Sequence, residues 1–261
     1  VPQAVNESAR DIPVAYDVDV VVVGGTSGGV AAAVSAAESG AKVFLAAERP
    51  YLGDDLCGTY RLWLEDGEEP TSALAKKVFG DSAGKPRVSP TPMRVKQTLD
   101  EALLEAGVQF LYGCYVTDVL YDSRGGIAGV VIANRSGRQA VRAKVVIDAT
   151  ARANVARLAG ALFESYPSGL HTFKRVVVGG QVQTGEGIIG ARKIPVLLRR
   201  ADGSVCEPSE YTLRIHIKDG SFASFAQAEQ VARDETWRRG QEDASETLFQ
   251  VPPDPMKGKE S

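Results

Sequence analysis

The chain has 261 residues, 44% of them hydrophobic, with 30 basic against 33 acidic side chains and a formal charge of -3. That length and apolar content supply a core for one large domain or two ordinary ones, and the near-balanced charge gives no field to attract a polyanion, so nucleic acid is not expected as a partner. Cys57, Cys114 and Cys206, with His171 and His216, are too few and too scattered for a disulfide framework or a metal knuckle, and no apolar run approaches the roughly 20 residues that span a bilayer.

Residues 1–15 show no clear period and read as an N-terminal arm. The chain starts at Val1 rather than Met, which fits removal of a leader and export and leaves the compartment open. From Asp17 to Val23 runs a β-branched strand whose unbroken apolar character suits a sheet covered on both faces. An alanine-rich helix follows over Ser27–Ser39, ended by Gly40, and AKVFLAAE (41–48) is a second strand. Together they form a βαβ unit. Residues 50–91 are broken by Gly and Pro around a short helical reading at 72–79, and a long irregular stretch of that kind is usually functional. A helix over Met93–Glu105 stops at Gly107, and VQFLYGC begins another strand.

The segments VTDVLYD, GIAGVVIAN and AVRAKVVID are separated by turn-rich SRG and RSGR and predict a small antiparallel meander. Its last strand runs into DATARANVARLAG (148–160), a turn and a helix. Beyond Ala161 the pattern loosens. TFKRVVVGGQVQ and EYTLRIHIKDG suggest strands, and residues 223–239 a helix with Phe225, Ala228, Val231 and Ala232 on an apolar face. The reading is thus an arm (1–15), a dinucleotide-binding domain (16–161), part of a mixed α+β second domain (162–250) and a tail or linker (251–261).

The stretch VVVVGGTSGGVAAA (20–33) carries the chemistry. In a dinucleotide turn the first glycine permits the tight bend, the second admits a pyrophosphate, and the third lets helix and strand pack closely. Gly24 and Gly29 match the first and third positions; Thr26 holds the second, with Gly25 and Gly28 restoring room. Amides at the helix start face a diphosphate, with Thr26 or Ser27 adding a hydroxyl. Glu48 ends the second strand 19 residues after Gly29, where a carboxylate can accept both hydroxyls of an adenosine ribose and would repel a 2'-phosphate. The plainer alternative is a tight turn with Glu48 facing solvent.

The turn alone does not separate FAD from NAD. The order of segments does: ERPYLGDDLCGTYRLWL directly after Glu48, then VVIDATARANVARLAGA about a hundred residues later, resembles the FAD-dependent oxidoreductase family of two-dinucleotide-binding-domain flavoproteins, in the branch whose turn reads GGT. The resemblance covers residues 17–161 well and the remainder weakly. It implies an α/β, Rossmann-like FAD-binding domain with a parallel sheet and an inserted antiparallel β-meander, followed by part of a mixed α+β substrate domain. It also implies FAD as cofactor, with Gly24, Gly25, Thr26, Ser27, Gly28 and Gly29 on the diphosphate and Glu48 on the ribose. Arg49 would lie beside the adenosine half, Gly53 would bring the next loop close, and Val116 would meet adenine through its backbone. Asp148, Ala149 and Thr150 resemble the DATG segment that passes under the diphosphate, with Ala151 in place of its glycine. From the residues themselves, Thr150 can support the following turn and Arg152 can either contact a phosphate or begin a helix facing solvent.

Protein groups around a flavin position substrate and manage protons. In GDDLCGTYRLW, Arg61 can hold an anionic substrate or the flavin pyrimidine edge, and Tyr60 can donate a hydrogen bond. Asp54 and Asp55 can organise that loop or carry protons, and His171 is a further proton-transfer candidate. Cys57 has no second thiol nearby and reads as a small buried residue, and Trp63 and Trp237 read as packing.

The expected activity is FAD-dependent transfer of a hydride between a small organic substrate and flavin N5. A second glycine-rich return to the cofactor domain is not found before Ser261, so a complementary C-terminal chain or a missing segment is expected to complete the site. The competing readings are an NAD-dependent dehydrogenase and a non-catalytic nucleotide-binding or assembly subunit.

Overall fold

The computed structural model describes residues 8–65, 67–80, 89–194, 196, 198–199, 202–251 and 254–257. The parts of the expected arm and tail at 1–7, 252–253 and 258–261 lie outside the described residues. The first part of the chain runs β1 (Val14–Val23), α1 (Ser27–Glu38), β2 (Val43–Ala46), α2 (Asp54–Cys57), α3 (Ala73–Phe79), α4 (Pro92–Glu105), β3 (Gln109–Leu111), β4 (Tyr115–Tyr121), β5 (Ile127–Asn134), β6 (Gly137–Asp148) and α5 (Asn154–Leu158). The second runs β7 (Gly169–Gly179), β8 (Ile188–Lys193), β9 (Leu198–Arg199), β10 (Val205–Cys206), β11 (Pro208–Ile217), α6 (Phe222–Thr236) and β12 (Gln241–Ala244).

One six-stranded sheet, in the order β3-β2-β1-β6-β5-β4, organises the first part. β1 sits between β2 and β6, parallel to both, with Val22 opposite Leu45 and Ile147. The valine run has no polar face because each alternate residue enters a different core. Val20 and Val22 pack with Leu45, Val30, Ala33, Val95, Leu99 and Leu103 beneath α1 and α4, whereas Val21 and Val23 pack with Phe44, Val119, Val130, Ile132 and Val155 on the opposite side. This is the α/β arrangement with a parallel sheet and antiparallel meander that the sequence predicts. The meander is continuous with the parallel strands: β6 pairs parallel with β1 along one edge and antiparallel with β5 along the other.

The second part is a four-stranded antiparallel sheet, ordered β12-β7-β11-β8, with α6 across one face. β8 and β12 had no clear signal in the glycine-rich and polar sequences that form them. α6 presents Ser224, Ala228, Ala232 and Thr236 to the sheet, a stripe of small residues at four-residue spacing that permits close approach, with Phe225 packed beside it. Val231, expected on the apolar face, is instead 37% exposed, and Trp237 just beyond the helix is 67% exposed rather than packed. Trp63 does pack, against Val176, Ile194 and Phe249 of the second part. Residues 254–257, within the stretch read as tail, run beside 162–164, with Glu164 donating to Pro255 O at 2.9 Å and Lys257 to Leu162 O at 2.9 Å.

Candidate functional site

At the C-terminal ends of β1, β2 and β6, three turns converge. Gly24, Gly25, Thr26, Glu48, Arg49, Asp54, Ala149, Thr150 and Ala151 line a single crevice there. Its geometry starts from glycines. Gly24 has φ +114, and a Cβ on it would stand 2.5 Å from Ala149 O; a Cβ on Gly29 would stand 2.3 Å from Gly24 O. Gly24 lets the β1–α1 turn touch the β6–α5 turn backbone to backbone, and Gly29 lets the start of α1 close onto Gly24 and Ala149 Cβ; together they form the floor of the crevice. Gly28 is different, since a Cβ there would meet only Thr26 Oγ1, at 3.8 Å.

Thr26 explains its own presence where a glycine is usual. It is the N-cap of α1: its Oγ1 accepts the Gly29 N–H at 3.0 Å and donates to Ala149 O at 3.3 Å. One hydroxyl therefore satisfies a helix donor and ties the two turns together. Ser27 is held from the other side, its N–H and Oγ donating to the two carboxylate oxygens of Asp55 at 2.8 and 2.5 Å.

Glu48 follows β2 and lies half-buried in the crevice wall. Asn154, at the start of α5, donates to its Oε1 at 3.4 Å. Burial raises the Glu48 pKa, the Asn154 bond opposes that, and the charges of Asp54 and Asp148 add to the rise. Asn154 had no signal in the sequence as a site residue, because its relation to Glu48 spans 106 positions. Asp148 serves α5: its carboxylate accepts the Thr150 N–H at 3.0 Å, the Thr150 hydroxyl at 2.6 Å and the Ala156 N–H at 3.0 Å. Asp54 also has a raised pKa, from burial and from the neighbouring Asp55 charge.

Gly53, with φ +76, precedes α2 and donates its N–H to Gly25 O at 2.7 Å, so it binds the following loop to the glycine turn. Arg49 faces the crevice half-exposed, 3.8 Å from Glu246. Val116 pairs with Ile132 on the outer strand β4, two residues after Cys114, whose N–H bonds Ala47 O beside Glu48.

Ser27, Gly28, Gly29, Gly53, Val116 and Asp148 are not among the lining residues, and neither are Arg152, Tyr60, Arg61 and His171. Arg152 turns to the second part, where Asp254 receives its Nε and Nη2 at 3.0 and 2.9 Å, Gly220 O accepts Nη2 at 3.0 Å, and its guanidinium lies 4.0 Å from the Phe225 ring centroid. The solvent-facing reading does not describe that setting, in which the side chain is 18% exposed. Tyr60 adopts φ +57 and donates its hydroxyl to Asp243; burial and that carboxylate raise its pKa. Arg61 is 3.9 Å from Glu68. His171 lies on β7, its Nε2 2.8 Å from Pro167 O and its ring beside Tyr166. Cys57 is buried, and burial pushes its pKa up to about 11, so the thiolate needed for covalent or redox work is suppressed.

The donor set fits the adenosine diphosphate half of a dinucleotide: amides at the start of a 12-residue helix and the Arg49 guanidinium for phosphate, and the Glu48 carboxylate for a ribose diol. Among the described residues, no group of three His, Cys, Asp or Glu side chains is arranged to hold a metal, and no helix is long and apolar enough to cross a membrane.

Solved structures share the fold at low identity. A geranylgeranyl bacteriochlorophyll reductase-like protein from Thermoplasma acidophilum has a TM-score of 0.53 at 16% identity, over 89% of this chain and 66% of its own. CabE, an aromatic hydroxylase from angucycline biosynthesis, has a TM-score of 0.53 at 13% identity, over 94% and 54%. AlpK has a TM-score of 0.50 at 18% identity, over 91% and 58%. The chain therefore spans less than two thirds of the length of these structures. No curated protein matches it at the sequence level. The family profile for FAD dependent oxidoreductase matches residues 19–175. That span is more than half of the chain and contains the glycine turn, Glu48 and the Asp148–Thr150 segment, so the chain belongs to the FAD dependent oxidoreductase family.

Proposed function

We propose that the chain binds FAD in the crevice between the β1–α1 and β6–α5 turns and serves an enzyme acting on a small organic substrate. Bound there, FAD supplies two-electron redox chemistry, with hydride exchange at flavin N5. The observation that carries this reading is the convergence of Gly24–Thr26, Glu48–Arg49 and Ala149–Ala151 on one opening beside the start of α1. In it, the amides of the glycine turn and Thr26 bind the diphosphate, and Glu48 orients the ribose with Asn154 holding the carboxylate. Gly53 fixes the loop that closes over the opening, and Val116 borders the adenine side.

Tyr60 and Arg61 lie on that same loop, but their partners Asp243 and Glu68 give them a role in shaping the loop before any role with substrate. The incomplete coverage of the similar structures supports a further polypeptide segment, in this chain or another, on the flavin-ring side of the site. The test is to titrate the purified 261-residue chain with FAD, NAD and adenosine. Binding of FAD and adenosine, with FAD stronger, supports the reading; preference for NAD over FAD favours a nicotinamide dehydrogenase, and binding of none of the three refutes a dinucleotide site.

A further inference from the structure

The start of α1 already holds an anion. Asp55 lies on α2, in the loop that follows Glu48, and its carboxylate straddles Ser27: Oδ1 accepts the N–H at 2.8 Å and Oδ2 accepts the hydroxyl at 2.5 Å. Ser27 is the first residue of α1, so its amide is among the helix donors that have no partner within the helix. Two residues further in, the Gly29 amide is taken by Thr26 Oγ1. The loop is pinned close by: Gly53 donates to Gly25 O at 2.7 Å, and the Thr59 hydroxyl donates to Asp55 O at 2.6 Å. The neighbouring Asp54 lines the crevice itself. A phosphate oxygen reaching for Ser27 would thus need donors that a carboxylate occupies, and would meet that negative charge at contact distance.

We propose that Asp55 is an internal competitor of the cofactor's diphosphate, holding the Ser27 amide and hydroxyl in the unliganded protein and giving them up when the dinucleotide enters. The inference rests on the dinucleotide reading of the crevice. Asp55 is exposed, so it can release Ser27 into water without burying an unpaired charge, while its backbone stays tied through Thr59. The competition is specific to phosphate. Adenosine engages Glu48 and carries no group that needs Ser27, so Asp55 is silent toward it.

The experiment is isothermal titration of the full chain, wild type, Asp55→Asn and Asp55→Ala, with FAD, ADP and adenosine at low and high salt. Removal of the charge should tighten FAD and ADP by roughly 3- to 10-fold, the scale of one anion contact at a helix start, with the gain shrinking as salt rises. Adenosine affinity should be the same in all three proteins. Asp55→Asn preserves the side-chain shape, so it decides the matter if Asp55→Ala melts early. Weaker or unchanged ADP binding in Asp55→Asn overturns the proposal, as does an equal change for ADP and adenosine. Wild-type protein that binds none of the three ligands overturns the dinucleotide reading as well, and so separates the two failures.

Discussion

Gly28 and Gly29 are adjacent in sequence, yet alanine should act oppositely at the two positions. At residue 29 a Cβ would stand 2.3 Å from Gly24 O and 3.1 Å from Ala149 Cβ, and neither neighbour is a flexible side-chain end. The turn must open, and overpacking of this kind costs about 1 to 3 kcal/mol. At residue 28 the nearest atom is Thr26 Oγ1 at 3.8 Å, so nothing must move. Alanine in place of a helical glycine recovers up to about 1 kcal/mol at either position. Gly28→Ala should therefore equal or exceed wild type, and Gly29→Ala should fall below it, the two differing by about 1 to 3 kcal/mol. For a chain of this size that separates their melting temperatures by roughly 2 to 12 °C. Thermal unfolding followed by circular dichroism, with matched FAD titrations, reads both consequences; Gly29→Ala should also bind FAD more weakly because the crevice floor has shifted. If the two variants melt together, the start of α1 does not approach Gly24 and Ala149 as closely as described, and the account of the floor is wrong.

Glu48→Ala should weaken FAD by roughly 5- to 150-fold, the loss of about 1 to 3 kcal/mol from one charged hydrogen-bonding group, and unchanged affinity would remove Glu48 from the site. Because burial raises the Glu48 pKa, FAD affinity should fall as pH drops through that raised value, earlier than for an ordinary carboxylate; an affinity that is flat from neutral pH down to about pH 4 contradicts this. Native alkylation should modify Cys206 first and spare Cys57 and Cys114, both buried and with raised pKa values, so early labelling of Cys57 in a peptide mass map would be the contrary result. Glu210 is 2% exposed and accepts from Lys174 at 2.8 Å and Arg192 at 2.9 Å. Burial pushes its pKa up, but Arg192 and Lys174 outweigh that and hold it below the usual value, so the pairing stabilises at neutral pH and is lost as pH falls through the depressed value. Lys174→Met should cost roughly 1 to 3 kcal/mol, with Arg192 still in place, and should move acid unfolding to higher pH; an unaltered acid transition would argue against the pairing.

The first part of the molecule was legible because its signals are local. The valine run of β1, the glycines of the turn and the Gly40 stop each act within a few residues, and the acid at the end of β2 falls at a fixed distance from the turn. The second sheet was less legible. β8 forms from glycine-rich sequence and β12 from QEDA, and each owes its strand conformation to a neighbour outside its own segment, β11 or β7. The same limit applied to individual residues. Thr26 could be placed at the turn, but its capping of Gly29 depends on the direction of its side chain. Arg152 sits beside the DAT segment, but its partner is Asp254, 102 positions on. Asn154 and Asp55 likewise act on residues that only the folded chain brings near.

The loop bordering the crevice is anchored by residues of the second part. Glu246 N–H bonds Gly58 O at 2.6 Å, the Tyr51 hydroxyl reaches the Glu246 carboxylate at 2.8 Å, and Tyr60 reaches Asp243, across sequence separations of 195 and 183. A ribosome can finish the glycine turn and its sheet long before it has made these anchors. Until about residue 247 leaves the exit tunnel, the nascent molecule has a floor for the nucleotide and no fixed rim. The rim of the crevice is thus fixed only once the second part of the chain has been made.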